Sequence, residues 1–365
     1  MLRKIVRRFR FSATTRAGQS VIEPMEPRQL LAAAPTITNV VADNRGEVLL
    51  TASRFLRNVN KNSVKFFTAG ADGAIGTADD VRKTDITVSF NPDNNRITIR
   101  GRTDPNATYR VRLESSLITA GDGKRLDGEF SGTFPTGNGT QGGNFSFLAR
   151  RDRSNMPVVR MSTNLGTMTI RIRKDVAPVS ATQFLDLANG GFYDNMIFAR
   201  AVPNFVLQAG SLQVTGSGTS ASDVIGNTAP SFPQELPRVL SNLRGTLSFA
   251  RGGPQALASN QFFINIGNND ASSAFNNLDE ADFPGDAVFT PFAQVIDGLA
   301  VADAIVNKPT ADLSAQLSQA ASNGSVAVTN VPVNNPAQAQ TSLNPNRDLM
   351  IARRTAVRMK IAPAA

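Results

Sequence analysis

Apolar positions follow two regimes along this chain. Over residues 35–134 they recur every second residue, in short runs. In ITVSF (86–90), Ile86, Val88 and Phe90 alternate with Thr87 and Ser89; RITIR (96–100) alternates again after the turn-forming NPDNN of 91–95. A third run, TYRVRLESS, occupies 108–116. Short strands with frequent turns over about 100 residues predict a β-sandwich of immunoglobulin type. From Met156 the periods mix. TMTIRIR (167–173) sets Met168, Ile170 and Ile172 on one face of a strand. SATQFLDLANGG (180–191) then places Ala181, Phe184, Leu185 and Ala188 at helical spacing. Ser180 and Gln183 read as its capping box, Pro178 precedes it, and Gly190–Gly191 stop it.

Further strands lead to a second short helix over 297–306, capped by Asp297. Residues 309–346 are polar and nearly uncharged, which predicts a long loop, and DLMIARRTAVRM (348–359) predicts a closing strand. Between the regimes, PTGNGTQGGNF (135–145) is glycine-rich and reads as a hinge. The expected organisation is a sandwich over 35–134, a linker over 135–150 and a second domain over 151–362.

Composition narrows the chemistry. The 365 residues suit two domains, and 41% hydrophobic with 18% charged content is that of a folded chain. The net charge is +9, but residues 1–30 hold seven Lys/Arg against Glu23 and Glu26, so five of the nine charges sit in a tail. That pattern fits a targeting segment at least as well as a nucleic-acid footprint. EPMEPRQLLAAA (23–34) is similar to a tag found on exported surface proteins of some bacteria, so residues 1–34 are expected to sort the protein outside the cytoplasm: periplasm, cell surface or medium. No run of 18 apolar residues predicts a membrane-spanning helix.

Cysteine and histidine are both absent. Disulfides, thiol nucleophiles, thiolate metal sites and the common histidine triads are therefore excluded. The chemistry must use Arg, Asp, Glu, Lys or Ser, or move no proton. GADGAIGTADD (70–80) bunches Asp72, Asp79 and Asp80 among glycines, a weak Ca²⁺ candidate whose spacing is not that of an EF-hand; a solvated turn is the plainer reading.

Three stretches, VAPVSATQFLDLANGGFYD (176–194), FARAVPNFVLQAG (198–210) and GTLSFARGGPQALASNQFFINIG (245–267), carry a resemblance to the cyclophilin-type peptidyl-prolyl isomerases. FTPFAQVIDGLAVADAI (289–305) is a looser fourth. The resemblance implies a mainly β fold: a closed antiparallel barrel of eight strands with two capping helices, preceded here by the small sandwich. It also implies peptidyl-prolyl cis-trans isomerase activity on proline-containing polypeptides, without a cofactor. Arg200 matches the family's catalytic arginine. Gln208 and Gln261 match glutamines that hold the substrate backbone and the arginine. Phe205 and Phe263 match aromatic walls of the proline pocket, and Val206 stands where methionine is usual. Ala250 and Arg251 match the strand that pairs with the peptide, and Phe289 falls near a usual histidine or tyrosine. Ala199 replaces a common histidine, and the groove tryptophan is missing, AFNNLDEADF (274–283) occupying its region. A monomer that binds no nucleic acid is expected. The alternative is a catalytically weak peptide-binding or surface-structural protein that uses the same groove and the sandwich.

Overall fold

The alternating runs of the second half become a closed barrel. In the computed structural model, residues 33–235, 239–251, 257–270, 272–273, 276–279 and 288–364 are described. Nearly all of the basic segment 1–34, and most of 274–283, lie outside them. Eight strands are Val158–Thr163 (β1), Gly166–Ile172 (β2), Met196–Ala201 (β3), Val206–Val214 (β4), Thr246–Arg251 (β5), Leu257–Asn265 (β6), Pro291–Asp297 (β7) and Ile351–Val357 (β8). They pair in the order β4-β3-β8-β1-β2-β7-β5-β6, all antiparallel, and β6 returns to β4, with Leu207 opposite Ile264. Closure leaves the barrel ring without an unpaired edge.

Inward-facing residues fill the barrel. Met168, Ile170, Phe198, Leu207, Phe262 and Phe292 share one core with Phe184 of the helix Pro178–Asn189 (α1). The Phe184 ring lies 5.0 Å from Tyr193, 5.3 Å from Phe262 and 5.2 Å from Phe292. Such ring pairs add roughly 0.5–1.5 kcal/mol each beyond simple burial. The predicted capping box does not form. Pro178 starts α1 early, which puts Ser180 inside the first turn, and the free N–H groups of Val179 and Ser180 go to the Glu235 carboxylate. The second helix, Leu299–Val306 (α2), is likewise not capped by Asp297, which ends β7. Its cap is Gly298, at φ 78°, where an added Cβ would sit 2.2 Å from the Thr167 carbonyl oxygen.

Residues 309–346 are not the predicted loop. They form the helices Ser318–Gly324 (α3), Pro336–Thr341 (α4) and Pro345–Asp348 (α5), with a pairing of Thr310–Ala311 to Val331–Pro332. This insertion covers the outside of the barrel. Leu313, Leu317 and Val328 pack on Ile197, Ala199 and Leu212 in a second core. Its apolar residues are small and sparse, yet Leu313, Leu317 and Ala320 already stand at helical spacing.

The sandwich is built from two antiparallel sheets. One has the order 37–42, 47–52, 96–100, 87–91; the other runs 359–363, 145–151, 109–113, 64–68, 81–83. Val48, Leu50 and Ile99 of the first meet Phe66, Val111 and Phe147 of the second in one core. The linker expectation therefore fails at its C-terminal end, since Phe145–Arg151 is a central strand with Phe147 opposite Val111 and Pro363. The glycine-rich part is tied down too: the Asp127 carboxylate accepts from the N–H groups of Asn138 and Gly139, each at 3.0 Å. The closing strand also divides. β8 stops at Val357, and Met359–Pro363 crosses into the sandwich. The boundary at 151–362 thus gives way to an interlocked arrangement, because backbone groups at both ends of that stretch find their ladder partners in the sandwich.

Packing makes sandwich and barrel one compact unit. The Arg354 guanidinium forks onto Asp43 at 2.7 and 3.0 Å, and Arg45 onto Asp194, 2.8 Å for its Nη2. Burial alone would lower the Arg354 pKa, but the hydrogen bond and charge of Asp43 outweigh it and raise it. The buried Tyr109 hydroxyl donates to the Asp43 carbonyl oxygen; burial, then the Asp43 charge, push its pKa well up.

Candidate active site

A period-two strand inside a barrel should bury one residue and expose the next. On β3, Met196 and Phe198 point into the core, and Ile197 and Ala199 lie under the insertion. Arg200 would by parity point inward, at great desolvation cost. The register prevents this. Phe198 pairs with Ala209 and Arg200 with Gln208, so two steps on β3 face one on β4. This β-bulge puts Ala199 and Arg200 successively on the outer face and returns Ala201 to the core. A guanidinium is thereby carried on a strand whose other residues build a core.

Arg200 opens onto a groove of about 510 Å³. Gln208, Ala250, Arg251 and Gln261 line it with Arg200, and no carboxylate is among its described lining residues. The Gln208 side-chain N–H donates to Gln261 Oε1 at 2.9 Å. The aromatic residues flank the groove rather than line it. Arg200 Cζ lies 5.6 Å from the Phe205 ring centroid, and Arg251 Cζ 4.7 Å from that of Phe289. Phe263 meets Phe289 edge to face at 5.5 Å. Cation–ring contacts of this kind contribute about 0.5–2 kcal/mol and orient the guanidinium plane. Val206 does not reach the groove lining; it is buried at the start of β4, 2% exposed.

Two features escaped the sequence reading. Behind the rings runs a buried amide network. Asn269 Nδ2 donates to the Phe205 carbonyl oxygen at 2.9 Å and to Asn265 Oδ1 at 2.7 Å, while Asn242 Nδ2 donates to the Phe289 carbonyl oxygen at 2.9 Å. It holds two of the flanking aromatic positions by their backbones. The only signal was asparagine in an apolar strand, Asn265 in QFFIN. The second feature is that Ser325, Val326 and Ala327 of the insertion line the groove.

The acidic loop does not gather a metal site. Among the described residues no three acidic groups are placed to hold an ion. Asp79 accepts from the Thr77 hydroxyl at 2.7 Å, and Asp80 accepts from Gly76 N–H at 3.0 Å and pairs with Arg110 at 2.9 Å. Asp79 is turned into the loop's own donors, and Asp80 is shared between the loop and Arg110 of the strand 109–113. Hydrogen bonding, led by the Thr77 hydroxyl, holds the Asp79 carboxyl below its ordinary range.

Residues 158–331 match the family model described as cyclophilin type peptidyl-prolyl cis-trans isomerase/CLD. A peptidyl-prolyl cis-trans isomerase of Acinetobacter baylyi is 35% identical over 153 residues, 42% of this chain and 73% of that protein. Peptidyl-prolyl cis-trans isomerase A of Dickeya dadantii is 37% identical over 147 residues, 40% of this chain and 70% of that protein. A crystal structure of a Cryptosporidium parvum cyclophilin type peptidyl-prolyl cis-trans isomerase aligns over 55% of this chain and 97% of that one, at a TM-score of 0.34 and 21% identity.

Proposed function

The chain belongs to the cyclophilin-type peptidyl-prolyl cis-trans isomerase family, and on that premise we propose how it works and on which substrates: Arg200 stabilises the twisted X–Pro bond of exported or surface polypeptides. Rotation about a peptide bond meets a barrier of roughly 18–20 kcal/mol, set by C–N resonance. Cis and trans X–Pro forms differ little in energy, so the obstacle is rate. In the twisted state the prolyl nitrogen loses resonance and becomes a hydrogen-bond acceptor. A guanidinium aimed at it binds that state better than either planar one, which is differential binding. No proton moves and no covalent bond forms, which accords with a chain that has neither histidine nor cysteine.

The observation that carries this reading is the bulge that turns Arg200 out of the core and over Phe205, at the mouth of a groove with no carboxylate among its described lining residues. The arginine-rich segment 1–34 supports exported clients and an extracytoplasmic location. The test is Arg200→Ala in the full chain. The expected loss in kcat/KM is about a hundredfold, about 2.7 kcal/mol of transition-state binding. Lysine restores little, because it presents a point charge instead of a planar fork. The melting temperature of the same sample stays nearly constant. An unchanged rate would leave a peptide-binding barrel, and a collapsed melting temperature would make Arg200 a structural residue.

A further inference from the structure

One wall of the groove does not come from the barrel. It is the turn that follows α3, and it is held closely against the strands. A Cβ added to Gly324 would lie 2.8 Å from the Ser211 carbonyl oxygen, and one added to Gly226 would lie 2.1 Å from that of Ala320. Only glycine permits this approach at both contacts. Further along, Ala201 N–H donates to the Asn330 carbonyl oxygen at 2.9 Å, next to the bulge that carries Arg200.

The turn also reaches the glutamines. Gln261 Nε2 donates to the carbonyl oxygens of Gly324 at 3.2 Å and Ser325 at 3.0 Å. Its Oε1 accepts from Gln208 Nε2. Both ends of the Gln261 amide are thus engaged, and Gln208 is fixed with its donor toward Gln261 and its acceptor, Gln208 Oε1, left for the groove. We infer that the turn 324–327 is a positioning element for the isomerase site: its carbonyls orient Gln261, and through it Gln208, while Val326 and Ala327 limit which side chains fit beside the proline. The inference rests on Arg200 and its groove being the catalytic site.

The test uses the full chain and two variants. Gly324→Ala pushes the turn off Ser211 and lengthens its bonds to Gln261. It lowers kcat about tenfold with KM nearly unchanged, and loses nothing further in a Gln261→Met background. Val326→Phe narrows the groove. It raises KM at least fivefold for a proline tetrapeptide flanked by phenylalanine and hardly at all for one flanked by alanine. A turn that only supports the fold would instead alter melting temperature without the kcat-against-KM split or the peptide preference. Fully multiplicative losses for Gly324→Ala and Gln261→Met, or equal KM changes for both peptides, would overturn the inference. Should Gly324→Ala not fold, Val326→Phe decides alone. Arg200→Ala is run alongside: if that rate is unchanged, the catalytic reading itself fails, whereas loss there with silent turn variants removes only the positioning role.

Discussion

The barrel and the sandwich are both antiparallel β structure, but they depend on each other unequally. Every strand of the barrel ring finds its partners within 158–357. The sandwich must borrow: its five-stranded sheet ends in Met359–Pro363, the segment that follows the last barrel strand, and Met359 joins its core. A closed sheet completes its own ladder, whereas an open one is finished by whatever strand reaches its edge. Chain order is therefore a poor guide to domain boundaries here.

The largest effect should come from cutting that debt. Ending the chain after Arg358 removes a ladder strand and the Met359 contact. Amides of Tyr109–Leu113 should lose most of their hydrogen-exchange protection while isomerase activity persists. Loss of both together would show that the barrel depends on the sandwich as well. A matched pair of core truncations sharpens the contrast. Phe184→Ala and Phe147→Ala each remove a fully buried ring, at a cost of about 3–5 kcal/mol. Only the first should also lower the isomerase rate at a temperature where both proteins remain folded. Melting curves with rates on the same samples check this.

Smaller effects belong to the contacts between the two. Asp194→Asn weakens the fork from Arg45 across the junction and should lower stability by about 1–2 kcal/mol, since the pair is partly solvated. A merged melting transition that splits in this variant would show that Arg45 and Asp194 couple the halves. The smallest effect is on pH. Burial works to raise the Asp348 carboxyl, but the Arg347 guanidinium, at 2.7 Å on both oxygens, and the Asn344 N–H outweigh it and hold it below its ordinary range. A carboxyl depressed in the folded state contributes stability above its unfolded pKa of about 3.9 and loses it as pH falls through the folded value. The insertion should thus loosen only below about pH 4, and Asp348→Asn should flatten that part of the acid-melting curve.

Much of this was legible in residues. Period-two runs located strands in both halves, and the i, i+3, i+4, i+7 spacing of Ala181, Phe184, Leu185 and Ala188 placed α1. The motif around Arg200 pointed to the family, and five of the nine residues singled out with it line one groove. Less legible were the caps. The cap of α1 comes from Glu235, some 55 residues away, and that of α2 depends on a glycine pressed against Thr167. The insertion looked like loop because its apolar residues are mostly alanine and valine, whose burial becomes favourable only against the outer barrel face.

The sequence by itself determined which positions are apolar, at what period, and that no histidine or cysteine could serve the chemistry, because these are properties of local composition. Only the tertiary structure decided that Arg200 faces outward, that 145–151 and 359–363 join one sheet, and that the turn at 324–327 walls the groove. A bulge is a difference in register between two strands, a ladder partner can come from any distance along the chain, and a wall exists only where segments from distant parts of the chain are brought together.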